Sequence, residues 1–315
     1  MSRLHLSRTN LEIPFKQAFV HATASRSCTE SLLVKARSAK GSMGMGEGCP
    51  RSYVTGETLE TARAFFENHY RSWEQLNGLE HLHDWMADHH DLINANPAAW
   101  CAVELAVLDV WGQELGQSIE GLLGLHEITG TFQYSAVLGT DSLSTFERQA
   151  RKFSALGLTD FKVKISGCLQ DDQHKINFLN RLGLENLRIR LDANNLWHHS
   201  EDAVSYLESL PHLFWAVEEP LTVGDYEGCR TISHRLDLPI ILDESFLREE
   251  QFQVLQTDPK GWIINLRVSK MGGVLRSLNV ARQAKPLRIP LIIGAQVGET
   301  SILTRAALTV AHQYR

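Results

Sequence analysis

The sequence of this 315-residue chain predicts an α/β fold, a parallel barrel of strands and helices behind a smaller α+β domain. Two observations carry that expectation. Between Asp160 and Lys270, short apolar runs rich in Ile, Val and Leu recur: DFKVKIS, LRIRLDANN, FWAVEEP, LPIILDES and GWIINLRVSKMGG, with helical spacers between them. Such runs read as strands of a parallel sheet buried on both faces. Each run also ends in chemically useful residues: Lys162 and Lys164, Asp192, Glu218 and Glu219, Asp243 and Glu244, then Arg267 and Lys270. The acids recur about every 25 residues, roughly one strand–helix–strand repeat. In a parallel barrel all C-terminal strand ends open on one face, so these side chains meet in one small volume.

The elements follow in order. LHLSRTNLEI, SLLVKARS and SMGMGEG alternate in strand fashion and predict a three-stranded antiparallel meander. The intervening PFKQAFVHATASRS is too polar and irregular for a core and reads as a loop. GMGEG lacks nucleotide-loop spacing, and no long helix follows it. From Glu57 to about Gln117 the spacing is helical. HLHDWMADHH reads as a solvated segment between helices rather than a metal site. NPAAWCAVELAVLDVWGQELG begins with Asn96 as N-cap and Pro97 at the first helical position, and its wide apolar faces predict burial. TFQYSAVLG opens the barrel, with Tyr134 and Ser135 reaching the mouth. IPLIIGAQV supplies a seventh strand and a last helix follows; no eighth strand is visible.

Composition narrows the class. A net charge of −6 without basic blocks argues against nucleic acid as a partner. No apolar run approaches a membrane span and no signal peptide is visible. Five dispersed cysteines without C-x-x-C read as reduced thiols, which predicts a cytoplasmic protein.

Three carboxylates in one volume repel one another unless a cation sits between them. A hard divalent ion with oxygen ligands, Mg2+ above all, answers that need. The alternative is that each acid caps the helix after its strand.

K-V-K, L-D-A-N, V-E-E-P, L-D-E-S and a strand ending before G-G, in that order, resemble the enolase superfamily. The pattern is most similar to the muconate-lactonizing subgroup of the mandelate racemase/muconate lactonizing enzyme family. That subgroup holds muconate cycloisomerases, o-succinylbenzoate synthases and dipeptide epimerases. GMGEGCPRSYVTGET resembles its N-terminal capping domain and GAQVGETS its seventh strand end. The resemblance implies a modified TIM barrel of (β/α)7β type over residues 126–315, capped by residues 1–125. It implies Asp192, Glu218 and Asp243 as ligands of Mg2+, with Mn2+ as a substitute, Glu218 being the first acid of V-E-E-P. It makes Lys164 the base and Lys162 the neighbour that lowers its pKa. The physics agrees: a lysine is protonated at neutral pH unless burial or a second cation disfavours its charge. His21, Ser25 and Arg26 in the first lid loop, Tyr53 in the second, Asn194 and Glu299 are the expected substrate contacts.

One position departs from the pattern. The family's second lysine lies five residues before the first Gly of G-G, and here that residue is Arg267. Lys270 is expected to face elsewhere. Arginine stays protonated and makes a poor base. The resulting expectation is an enzyme that removes the α-proton of a small carboxylate substrate to give a metal-stabilised enediolate. β-Elimination or cycloisomerisation from one face would follow, with Arg267 orienting substrate or stabilising charge, unless Arg267 is spent on a salt bridge to an acid such as Glu244. The alternatives are a racemase or epimerase of an amino-acid derivative or dipeptide, with Lys270 as second base, and a non-catalytic metal-binding relative. A homo-oligomer is also implied by the resemblance.

Overall fold

Seven parallel strands, hydrogen-bonded in strict chain order, form the larger sheet of the computed structural model. The structure describes residues 2–21, 24–139, 142–211 and 213–314, with the backbone alone for 17–21 and 24–26.

The N-terminal part opens with β1 (Leu4–Leu11), β2 (Pro14–His21), β3 (Ala24–Cys28), β4 (Ser31–Ser38) and β5 (Met43–Gly48). Strands β1, β4 and β5 form the expected antiparallel meander. The presumed loop between β1 and β4 is instead a two-stranded hairpin, β2 with β3. Helices α1 (Leu59–Trp73), α2 (Leu79–Asp88), α3 (His90–Ala95), α4 (Pro97–Leu115) and α5 (Ile119–Leu122) follow. Most of the histidine-rich segment lies on α2 rather than between helices, because Leu82 and Trp85 supply a buried stripe. Trp85 then stacks on His89 and Trp100.

GMGEG has a packing role. A Cβ at Gly44, Gly46 or Gly48 would fall 1.8–2.4 Å from backbone atoms of Val110, Ala106, Ala102 or Ala98. Those four residues recur every four positions along α4 and face β5, so bare strand meets nearly bare helix. Helix α4 is buried along almost its whole length, as its apolar faces predict. Its N-cap differs from expectation. The Asn96 side chain turns back to the Leu92 carbonyl, and Glu57 accepts the Ala98 and Ala99 N–H groups at 2.9 and 3.0 Å.

The barrel comprises β6 (Ala136–Leu138), α6 (Leu143–Ala155), β7 (Asp160–Lys164), α7 (Leu169–Arg181), β8 (Arg188–Asp192), α8 (Ser200–Glu208) and β9 (Phe214–Glu218). It continues through α9 (Tyr226–Leu236), β10 (Ile240–Leu242), α10 (Phe252–Leu255), β11 (Trp262–Leu266), α11 (Val268–Met271), α12 (Val274–Leu287), β12 (Leu291–Ile293) and α13 (Ser301–Tyr314). This is the α/β architecture that the sequence predicts, with every residue of β7, β10 and β11 buried. Strands β6 and β12 are the sheet's edges, and no eighth strand lies between them among the described residues. Contacts beside that gap come from α13. Arg305 pairs with buried Glu120 on α5, and Gln313 donates to the His126 carbonyl.

The cap is fastened to the barrel by carboxylates that accept helix N-termini. Glu104 of α4 accepts the Val274 and Leu275 N–H groups at the start of α12. Glu47 of β5 accepts from Thr300, just before α13. Such ends carry unsatisfied donors and a partial positive charge. Among the described residues no helix is long and apolar enough to cross a membrane.

Candidate active site

Strand register builds the site. Lys164 lies beside Asp192, and Asp192 beside Glu218, at the C-terminal ends of β7, β8 and β9. Asp243 directly follows β10. The sheet is curled enough for side chains of non-adjacent strands to touch. Lys162 Nζ on β7 reaches Glu218 Oε1 on β9 at 2.7 Å and Asp192 Oδ2 at 2.8 Å. Asn265 on β11 donates to the same Glu218 oxygen at 2.9 Å.

The two lysines differ. Burial works against the charge of Lys162, but Asp192 and Glu218 outweigh it and hold its pKa above the ordinary lysine value. Lys164 is lowered, by burial first, with Lys162 reinforcing it against Asp192. Its Nζ donates to Asn194 Oδ1 at 2.6 Å and lies 3.5 Å from Asp192. Asn194 is thus a holder of Lys164 here. Burial disfavours the Asp192 carboxylate, yet the two ammonium groups keep its pKa well below the usual range.

Glu218 and Glu219 part company as neighbours at a strand end must. Glu218 points into the barrel. Glu219 turns outward, accepting from Asp243 N, Ser245 N and Ser245 Oγ at 2.5, 2.8 and 2.8 Å. Burial pushes its pKa up to about 7.

On the far side, Arg267 follows β11 and pairs with Asp243, not with Glu244. Its Nη1 donates to Gln296 Oε1 at 2.8 Å. Lys270 does not face elsewhere. It is fully buried, with Nζ 3.0 Å from Asp243 Oδ1 and 2.7 Å from the Asp243 and Asn265 carbonyls. One turn of helix, α11, brings residue 270 back to the side of residue 267.

The remaining expectations divide. Tyr53 and Glu299 both lie near Arg267. Glu299 accepts from Gln296 N at 2.8 Å, and burial raises its pKa to about 7. Tyr134 and Ser135 precede β6 and so sit at the opposite end of the barrel, where Ser135 accepts from Arg190 at 2.8 Å. The side chains of His21, Ser25 and Arg26 lie outside the described residues. The stem of their hairpin stands at the mouth, with Phe15 against Gly298.

A family model described as "Enolase C-terminal domain-like" matches residues 145–315. The chain is 27% identical to the N-succinyl-L-Arg/Lys racemase of Bacillus cereus, over 96% of this chain and 81% of that protein. It is 28% identical to the hydrophobic dipeptide epimerase of Enterococcus faecalis, covering 96% and 85% of the two. The dipeptide epimerase of Methylococcus capsulatus, solved with Mg and the dipeptide L-Arg-D-Lys, superposes with a TM-score of 0.88 at 25% identity. That match covers 99% of this chain and 88% of the other.

The chain belongs to the enolase superfamily. It is an enzyme of that superfamily, and the named relatives are racemases and epimerases rather than lyases or cycloisomerases.

The superfamily's cation can be tested against the residues present. Among the described residues no three His, Cys, Asp or Glu side chains stand as a ready metal cage. The acids are drawn instead to Lys162, Lys164, Arg267 and Lys270. The donor chemistry nonetheless suits a hard ion: Asp192, Glu218 and Asp243 stand at the ends of successive strands, and Glu218 Oε2 is buried without a hydrogen-bond partner, its nearest cation being Arg190 Nε at 3.9 Å.

Sequence reasoning missed four contributors. Asn265 stands two residues before Arg267, and the period of two alone could have placed it inside the barrel. Gln296 lies in GAQVGETS without a charge to draw notice. Asp172 and Lys175 form a buried pair behind Lys164. Asp172 accepts from Ser166 N, Gly167 N, Lys175 Nζ and Tyr206 Oη, and Lys175 also donates to the Lys164 carbonyl at 3.2 Å.

Proposed function

We propose that this enolase-superfamily enzyme epimerises or racemises a dipeptide or N-acylated amino acid at its α-carbon, with Lys164 taking the α-proton. The observation that carries the reading is Lys164 at the end of β7, held by Asn194 beside Asp192 and Glu218. The named relatives support the outcome of the reaction.

Asp192, Glu218 and Asp243 would hold Mg2+. A bound Mg2+ supplies a Lewis acid for the substrate carboxylate and for the negative charge left when the proton departs. The chain's own residues do the rest. Lys162 stays charged between Asp192 and Glu218 and keeps a cation beside Lys164. Asn194 orients the Lys164 amine. Inversion needs a proton delivered to the opposite face. Lys270 is the amine on the β11 side, since the Arg267 guanidinium does not release a proton at neutral pH.

Arg267 favours a second reading. With a fixed cation where the family has a base, the same proton abstraction could lead from one face to β-elimination or cycloisomerisation.

Proton NMR in D2O with Mg2+, over dipeptides and N-succinyl and N-acetyl amino acids, tests both. Exchange with loss of configuration supports the epimerase reading. Exchange with retention supports one-face chemistry. Unimpaired exchange in Lys164→Ala would overturn the assignment of the base.

A further inference from the structure

Four buried polar atoms at the barrel mouth have no hydrogen-bond partner: Glu218 Oε2, Asn265 Oδ1, Arg267 Nε and Gln296 Nε2. Buried polar groups are ordinarily satisfied, so such a cluster marks where a partner belongs. The last two are adjacent. Gln296 is 2% exposed and follows β12, and its Oε1 accepts from Arg267 Nη1 at 2.8 Å. That bond fixes the amide, so Nε2 is the atom left over. Arg267 is likewise fixed: one Nη bonds Gln296, the other pairs with Asp243, and Nε remains. A Cβ at Gly294 would come within 2.2 Å of Asn265 Oδ1 and 3.2 Å of Arg267 Cγ. Only glycine lets the end of β12 lie this close to both.

We infer that Arg267 Nε and Gln296 Nε2 form a two-donor subsite for an oxygen acceptor of the substrate, the carbonyl of its N-acyl or peptide group. Both free atoms are N–H donors, which selects an acceptor. The site lies on the β11–β12 side, across the mouth from Lys164 on β7, so it takes a part of the substrate other than the reacting carboxylate. Arg267 is thereby a binding residue that reads the acyl group. The inference rests on the proposed reading for the N-acyl or peptide group of the substrate and for the mouth as the place where it is held.

Isothermal titration of the Mg2+-loaded protein with N-acetylglycine and with pentanoate, which has the chain but no acyl carbonyl, tests the subsite. The wild type is expected to prefer N-acetylglycine by about tenfold, and Gln296→Met to lose that preference while binding pentanoate as before. Gln296→Glu keeps the acceptor for Arg267 but lacks the N–H, and is expected to lose it as well, which covers the case that Gln296→Met fails to fold. No preference in the wild type, or full preference in a folded Gln296 variant, overturns the subsite. Preference for N-acetyl amino acids without α-proton exchange in D2O would overturn the proposed reaction and leave the subsite standing.

Discussion

The two sides of the barrel mouth are built on different principles. On the β7 side sits an amine that burial and a neighbouring ammonium push toward neutrality, Lys164, next to one that two carboxylates keep charged, Lys162. On the β11 side Arg267 is locked by Asp243 and Gln296. One side presents an amine directly, and the other presents a fixed guanidinium with the buried Lys270 amine beside it. Their supports differ as well. The β7 end is braced within the barrel by Asp172 and Lys175. The helix after α11 is capped from outside by Glu104 of the N-terminal part. The asymmetry concentrates the question of inversion versus retention on two neighbours, Arg267 and Lys270.

The largest effect expected comes from removing the proposed base. Lys164→Ala should lower α-proton exchange by about a thousandfold or more, while Mg2+ affinity measured by calorimetry stays within a few-fold of wild type. Next comes the carboxylate between the lysines. Asp192→Asn should weaken Mg2+ binding by about a hundredfold, and unchanged affinity would remove Asp192 from the ligand set. Arg267→Lys sharpens the comparison most directly. With Lys270 serving that face, loss of configuration per exchange event should stay unchanged, read by chiral chromatography of recovered substrate. An increase would mean that Lys270 does not reach that face and that the native enzyme works from one face.

Smaller effects test the braces. Asp172→Asn leaves Lys175 buried and unpaired, so stability should fall by about 3 kcal/mol in urea denaturation. Exchange at saturating substrate should fall about tenfold with KM little changed. A loss of stability alone would make the pair merely structural. The smallest effect concerns Glu104, whose pKa burial raises to about 7 against the hydrogen bonds from Leu275 and Val274. A carboxyl raised in the folded state contributes stability that is full below its ordinary pKa and is lost as pH climbs through the raised value. Wild type should therefore weaken relative to Glu104→Gln between about pH 5 and pH 8, by on the order of 2–3 kcal/mol. Parallel urea midpoints across that range would show the idea to be wrong.

Much of this was legible in the sequence because buried parallel strands write themselves as unbroken apolar runs. Acids at their ends stand out against that background, and the expected row of Lys164, Asp192 and Glu218 emerges directly from register. The rest escaped for local reasons. Tyr134 and Ser135 looked like part of a longer strand, but β6 starts only at Ala136, which places them at the far end. The direction of Lys270 depends on a single helical turn too short to leave a periodic pattern. Asn96 occupies the N-cap position, yet the acid that caps the helix is 39 residues earlier in the chain, at Glu57. Gln296 and Asn265 carry no charge, and their importance lies in what they leave unbonded.

The bare seam between β5 and α4 has a consequence for how such an enzyme can change. With no side chain at Gly44, Gly46 or Gly48, nothing in the seam can be resized to slide the helix along the strand. The same helix grips α12 through Glu104, so the hairpin and the Tyr53 loop hang from a mount of fixed height above the reacting groups. Changes at their tips leave this mount in place, while Arg51 and Phe15 tie their bases to the fold. A library that randomises those tips while leaving the seam alone would search substrate preference at nearly constant geometry of the chemistry beneath.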